Sequence, residues 1–406
     1  MPQSPLAGTR VLDLSRLLPG PFCSMVLADL GAEVIKVESP RLGDPMRVGP
    51  PQTGGESCYF LSINRSKKSL ALNLRRPEGR RIFLRLVPTA DVVIESYRPG
   101  QAAQIGVGYE ALAKVNPRLV YCSVTGFGQD GPLRDRPGHD LSYAALAGLL
   151  DLMRPPEMAP YVPTVPLADM SSALFAAVGI LAALAARRRH GEGAHVDTSI
   201  FHSALAWTIF PGSSQMVPSV PNERGQRYVL GEHPGYHLYP TKDGRYMALT
   251  ALEPVLWTDF CEAIDRRDLV GRRVSEAGQR QAVISELEGI FRQRDQAEWI
   301  RLFDANPASC EPVRTLEEAL GSSEVRRDSL VELEHPTAGR LLQVRMPYGA
   351  ESGPHHQASP PPLLGQHTEV ILRSLGYDKG SIARLRAKGI VSTSEDSSRR
   401  KARRAR

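Results

Sequence analysis

Cysteine is scarce and scattered in this 406-residue chain. Cys23, Cys58, Cys122, Cys261 and Cys310 are odd in number, and no two have the spacing of a zinc site, so no metal centre is expected. The thiols fit a reducing compartment, most of them as small buried residues. A basic-then-apolar leader is missing. Long apolar runs are missing too: Ala173 to Ala186, the most apolar stretch, is too short and too Ala-rich to span a bilayer, and Arg187 to His190 close it. A cytoplasmic protein without a membrane partner is expected. The folded body also lacks net charge. Of the formal +6, six basic residues (Arg399, Arg400, Lys401, Arg403, Arg404, Arg406) sit in the last eight positions. Residues 391–406, a Ser-rich stretch from Val391 to Ser398 and the basic residues after it, are expected to form a solvated, disordered tail, and no nucleic-acid partner is expected.

What is present points to a loop-rich α/β protein. The apolar fraction is 42%, with 35 Gly and 33 Pro, in a chain long enough for two or three domains. Arg10 to Ser15 is a short apolar run, Pro21 is placed to open a helix that Gly31 ends, and Glu33 to Glu38 is the next strand. Strand, helix and strand in so short a space make a βαβ unit and a parallel sheet. The pattern recurs with strands at Ser69 to Leu74, Asp91 to Glu95 and Leu119 to Val124, and helices at Pro77 to Val87 and Tyr109 to Val115. Met170 to Arg188 reads as a core helix, apolar almost all round.

Residues 1–210 thus form a large α/β domain, 211–228 a Pro- and Ser-rich linker, and 229–330 a smaller α+β domain. In the smaller domain Gly235 to Tyr239 and Arg245 to Thr250 flank a Lys242 to Gly244 turn as a hairpin. Helices follow at Pro254 to Ile264, Gln279 to Arg292 and Gln296 to Asp304. Residues 331–390 return to the large domain.

Gly126 to Gly131 imitates a phosphate loop, but Pro132 and Pro137 follow it and no helix N-terminus awaits a phosphate. Three other segments carry chemistry. His139, in a turn after Pro137, is free to face a cavity, and imidazole titrates near neutral pH; taken alone it reads first as a surface-turn or hydrogen-bonded core histidine. Asp169 stands before the apolar helix, where the positive helix end would keep it ionised, or where it is an ordinary N-cap. Glu253 precedes Pro254, a good first helical position, so Glu253 is a cap candidate although Glu caps poorly.

The order of these segments resembles one family. Val11-Leu-Asp-Leu-Ser15, Pro19-Gly-Pro21, Leu27 to Glu38, Asn64 to Leu74, Tyr97-Arg-Pro-Gly100, Asn116 to Tyr121, Thr125 to Gln129, Gly138-His-Asp140 and Leu364 to Thr368 are similar to the class III CoA-transferase (CaiB/BaiF) superfamily, over about residues 5–390. The branch most resembled is that of the 2-methylacyl-CoA racemases. The resemblance implies a large Rossmann-like parallel-sheet domain, a smaller α+β domain and an interlocked homodimer. It implies an acyl-CoA substrate and no permanently bound cofactor. CoA would be held by Leu17, Lys36, Arg41, Asn73, Leu74, Arg75, Tyr97, Arg98 and Tyr143.

In the racemase branch a Gly-His-Asp histidine and an aspartate before an apolar helix are catalytic, which map onto His139 and Asp169. A glutamate before proline, here Glu253, supports the histidine. The first expectation is therefore α-proton transfer between His139 and Asp169 in a 2-methylacyl-CoA. The alternative is CoA transfer between carboxylic acids, with Asp169 as nucleophile. A third is a non-catalytic CoA-thioester binder. Two family arginines are replaced here, by Ser39 and Gln104, and Met170, Ser171 and Ser172 stand where glycines are common.

Overall fold

The computed structural model describes residues 4–154, 158–217, 233–273, 277–347 and 358–396. It divides into two compact units: Met1–Arg154, Ala159–Ile209 and Ser329–Arg406 form the first, Pro155–Met158 and Phe210–Asp328 the second.

The first unit is built on a seven-stranded sheet. Its order is Val391–Ser392, Lys67–Leu72, Glu33–Glu38, Arg10–Asp13, Val92–Glu95, Val120–Thr125, Ala194–Ser199, parallel throughout except for the short C-terminal strand. Strand residues alternate between two cores. Val11, Val34, Val92, Ile94 and Cys122 face the helices Pro19–Asp29 and Leu167–His190. Leu12, Ile35, Leu70, Val93 and Tyr121 face Pro77–Leu86, Thr368–Ser374 and Lys379–Ala387. Apolar side chains on both faces are what a parallel sheet covered on both sides demands.

Three elements depart from the expected boundaries, each for a physical reason. The strand expected at Ser69 to Leu74 begins at Lys67, because Lys67 and Ser69 are polar yet buried, their charge and hydroxyl answered by Asp13, Asn64 and Glu38. The apolar helix runs from Leu167 to His190, 24 residues, so it is long and apolar enough by composition to cross a membrane, contrary to the shorter run expected. In the fold its Ala168, Ala173, Ala176, Ala177 and Ile180 are buried against the sheet and the Pro19–Asp29 helix. Finally, Val391–Ser392, expected to open the tail, pairs with Leu72 and Ala71, and Asp396 holds Arg386 at 2.8 Å. Residues 397–406 of that tail, and most of the expected linker, lie outside the described residues.

Two of the resembling motifs serve the fold itself. In Leu364 to Thr368, His367 Nδ1 and Thr368 Oγ1 accept the Ser69 and Ala71 backbone N–H groups at 3.1 and 3.0 Å, closing that sheet edge. Arg65 reaches Asp29 and Gln343, tying the strand's approach to the Leu330–His335 and Gly339–Val344 hairpin.

The second unit has its own core. The Tyr236–Pro240 and Tyr246–Thr250 hairpin, with Gly244 at φ 77°, extends to Cys310–Pro312. Helices Pro254–Ala263, Ala277–Phe291 and Gln296–Ala305 supply Trp257, Phe260, Phe291 and Trp299 to bury it.

Candidate active site

The sheet order places a topological switch between Arg10–Asp13 and Val92–Glu95, where the connecting segments leave in opposite directions. Ligands of open α/β sheets bind there, outside the carboxyl ends of the strands. The residues expected to hold CoA follow the C-terminal ends of four adjacent strands: Leu17 after the first, Arg41 after Glu33–Glu38, Asn73, Leu74 and Arg75 after Lys67–Leu72, Tyr97 and Arg98 after Val92–Glu95. Arg41, Arg75 and Arg98 are exposed. Asn73 is half-buried and Leu74 buried.

The switch itself is tightly built. Leu17 is exposed and holds φ 65°, a left-handed backbone that a branched side chain adopts only where its surroundings impose it. Its N–H donates to Asp44 Oδ1 at 3.1 Å. The Arg16 N–H donates to Ser96 Oγ at 2.9 Å, and its guanidinium lies 5.1 Å from the Tyr97 ring centroid. Arg16 is a cation at the crevice that the sequence patterns did not single out. Below it Glu95 accepts the Tyr97 N–H at 2.7 Å, and burial pushes its carboxyl up to about 7.

Lys36 is a correction. It was expected to reach a CoA phosphate, but its side chain is fully buried beneath these loops. Its ammonium donates to the Ser15 carbonyl and pairs with Asp44, both at 2.9 Å, with Asp13 at 3.9 Å. Burial opposes the charge, and the acids overcome it, so Lys36 is raised above the ordinary lysine range. Next to it, burial would raise Glu38, but two contacts from Arg47 (2.7 and 2.8 Å) outweigh it and hold Glu38 down at about 2. The cluster fixes the Glu38 to Arg47 loop from inside; it is no ligand surface.

His139 and Asp169 meet through a residue between them in neither motif's expected role. His139 is the N-cap of the Asp140–Leu146 helix, its N–H donating to Ser142 Oγ at 2.9 Å, and it is exposed. It lines an open, mainly apolar cleft of ≈ 660 Å³ with Leu141, Ala145, Leu150, Pro160 and Tyr161. The next residue, Asp140, reaches the long helix: its Oδ1 accepts the Asp169 backbone N–H at 2.9 Å.

Asp169 is therefore not an N-cap. Pro166 occupies that position, Asp169 lies in the first turn, and the side chain satisfying its N–H belongs to Asp140. Nor is it held ionised by the helix end. Burial, and then the Asp140 charge, push its carboxyl up to about 7. Tyr143 completes the group: it is 5% exposed, and burial with the nearby Asp169 charge raises its phenol to about 12. Gly126 and Gly138 make room for its ring, since a Cβ on either would lie 2.5 or 2.7 Å from Tyr143 atoms. That is the service of Gly126 in the false phosphate loop.

Ser171 and Ser172 turn their hydroxyls back to the carbonyls of Leu167 and Asp169, and Trp207 Nε1 donates to Ser171 Oγ at 2.5 Å. They hold the first turn of the helix. Glu253 lies in the second unit, at the N-cap of Pro254–Ala263, exposed and making no side-chain cap.

A family model for CoA-transferase family III matches residues 6–368. The mouse succinyl-CoA:glutarate CoA-transferase is 36% identical, over 96% of this chain and 91% of the relative. The mouse alpha-methylacyl-CoA racemase is 34% identical, over 95% of this chain and 97% of the relative. Among solved structures, a CaiB/BaiF family protein from Brucella suis superposes with a TM-score of 0.81 at 28% identity, covering 92% of this chain and 100% of that one. With the Rossmann strand order, the crest of exposed arginines and the paired aspartates already in place, these matches make the chain a member of CoA-transferase family III, an enzyme of CoA thioesters.

Proposed function

We propose that this protein is a CoA-transferase that moves CoA from an acyl-CoA to a second carboxylic acid, with Asp169 as the nucleophile. The observation that carries the reading is the environment of Asp169: a half-buried carboxyl with a raised proton affinity, its backbone N–H held at 2.9 Å by Asp140, the residue next to the cleft-lining His139. A desolvated carboxylate is a stronger nucleophile than a hydrated one. The similarity to succinyl-CoA:glutarate and succinyl-CoA–L-malate transferases supports it.

In the proposed sequence the Asp169 carboxylate attacks the thioester carbonyl and expels CoA as thiolate, leaving a mixed anhydride. The thiolate attacks the aspartyl carbonyl, releasing the donor acid and forming an aspartyl-CoA thioester. The acceptor carboxylate repeats these steps in reverse and leaves as its CoA ester. Arg41, Arg75 and Arg98 would hold the CoA phosphates, Leu17 and Tyr97 its base at the switch, and Tyr143 the wall beside Asp169.

The racemase reading keeps one specific support. His139 is exposed on the cleft and adjoins Asp140, whose side chain accepts the Asp169 N–H, which supports a role for it as a proton partner. A carboxyl at about 7 suits general acid and base work. A second copy of the chain is proposed to cover Leu174, Phe175, Val178 and Ile209, which the first unit leaves exposed.

The test is a CoA-exchange assay, succinyl-CoA against a panel of carboxylates, run beside α-proton exchange of a 2-methylacyl-CoA in heavy water. CoA exchange abolished by D169N and surviving H139A supports the transferase. Deuterium uptake lost in both variants, without CoA exchange, overturns it in favour of the racemase.

A further inference from the structure

Two carboxylates, each in the first turn of its own helix, meet at the start of Leu167–His190. Asp140 Oδ1 accepts the Asp169 N–H at 2.9 Å across 29 residues of sequence. Among the described residues neither side chain has a salt-bridge partner. The contact satisfies a free donor of the Leu167–His190 helix, as an acidic cap does. A serine or asparagine would satisfy it equally well without placing a second negative charge against Asp169.

We infer that Asp140 is a positioning residue whose charge sets the reactivity of Asp169 while its hydrogen bond fixes where Asp169 stands. The inference rests on Asp169 being the reacting carboxylate, as proposed above. Like charges in one site raise the proton affinity of the more buried one.

The elements packed against this helix bring other titratable groups: Cys23 and Asp29 on Pro19–Asp29, Tyr121 and Cys122 on Val120–Thr125, His195 and Asp197 on Ala194–Ser199, His202 on Ile200–Ala206, Tyr143 beside Asp140. Burial and Asp140 are what move Asp169. The Gly-His-Asp motif is thereby divided in its labour. His139 lines the cleft, and Asp140 acts on the carboxylate of the neighbouring helix.

Two measurements test this, one of them independent of turnover. First, the melting temperatures of wild type and D169N are compared from pH 5 to pH 8 without ligand, and again with D140N added to both. The gap between the two proteins at pH 8 is expected to shrink, though not vanish, once the second charge is gone, since burial is the larger cause. Second, in CoA exchange D140N is expected to move the acidic limb of the pH–rate profile down by about one unit. D140A, which also loses the hydrogen bond, is expected to lower the rate at every pH.

A gap and a limb both unmoved by D140N overturn the inference, leaving Asp140 a structural cap. A shrunken gap in a protein that turns over no acyl-CoA shows the charge coupling of Asp140 to Asp169 and refutes the functional reading on which its catalytic meaning rests. If D140N fails to fold, D140S, a shorter neutral acceptor, enters the same comparison.

Discussion

Replacing Asp169 by asparagine removes a charge from a place that disfavours it, and the effect on stability follows from the structure. The carboxyl is raised from 3.8 to about 7 by burial and by Asp140. At about 1.4 kcal/mol per unit, ionising it in the fold costs at most about 4 kcal/mol. Solvent reaching the half-buried group lowers this to about 1–2 kcal/mol, or roughly 2–4 °C in a unit of this size. The sign is set by a folded-state affinity above the unfolded one. The contribution is fully present below pH 4 and is lost as pH rises through about 7. D169N should therefore melt with wild type at pH 4 and increasingly above it as pH rises to 8, as an inactive protein. Thermal denaturation followed by intrinsic fluorescence across that range reads it. A gap that is absent, or largest at low pH, would refute the claim that Asp169 is desolvated and repelled, and with it the basis for its reactivity.

Other perturbations have equally definite outcomes. Glu38→Gln leaves Arg47 buried beside half its partners and should cost about 3–5 kcal/mol, measured by urea denaturation. Since Glu38 is held down at about 2, its contribution is present at neutral pH and is lost as pH falls from the ordinary glutamate range toward 2. Gly126→Ala forces the Tyr143 ring aside and should cost about 1–3 kcal/mol while lowering kcat, visible in melting and exchange assays together. Arg75→Ala should raise KM for acyl-CoA with kcat little changed, the mark of a ligand contact, whereas Lys36→Met should show as a loss of folded protein.

Much of the large unit was legible in the sequence because its strands are apolar on both faces and Gly or Pro bounds its helices. The misplacements came where polarity misleads. Lys67 looks like loop until Asp13 and Asn64 are brought to it from distant segments, and nothing local announces that. Ala194–Ser199 was not recognised, since an edge strand with exposed His195 and Asp197 carries only a weak apolar signal. At the candidate site, motif order singled out His139 and Asp169. It missed how they are joined, because Asp140 acts on a helix 29 residues away. Lys36 failed as a phosphate contact for the same reason as Lys67: a charge on a sheet crest reads alike whether it points outward or into an ion cluster.

The most direct test of the central claim is chemical. The protein is incubated with succinyl-CoA, trapped with borohydride or hydroxylamine, digested and mapped by mass spectrometry. A reduced or hydroxamate-bearing Asp169 peptide, dependent on acyl-CoA, is the predicted result. An unmodified Asp169 peptide in a protein that catalyses CoA exchange would contradict the account.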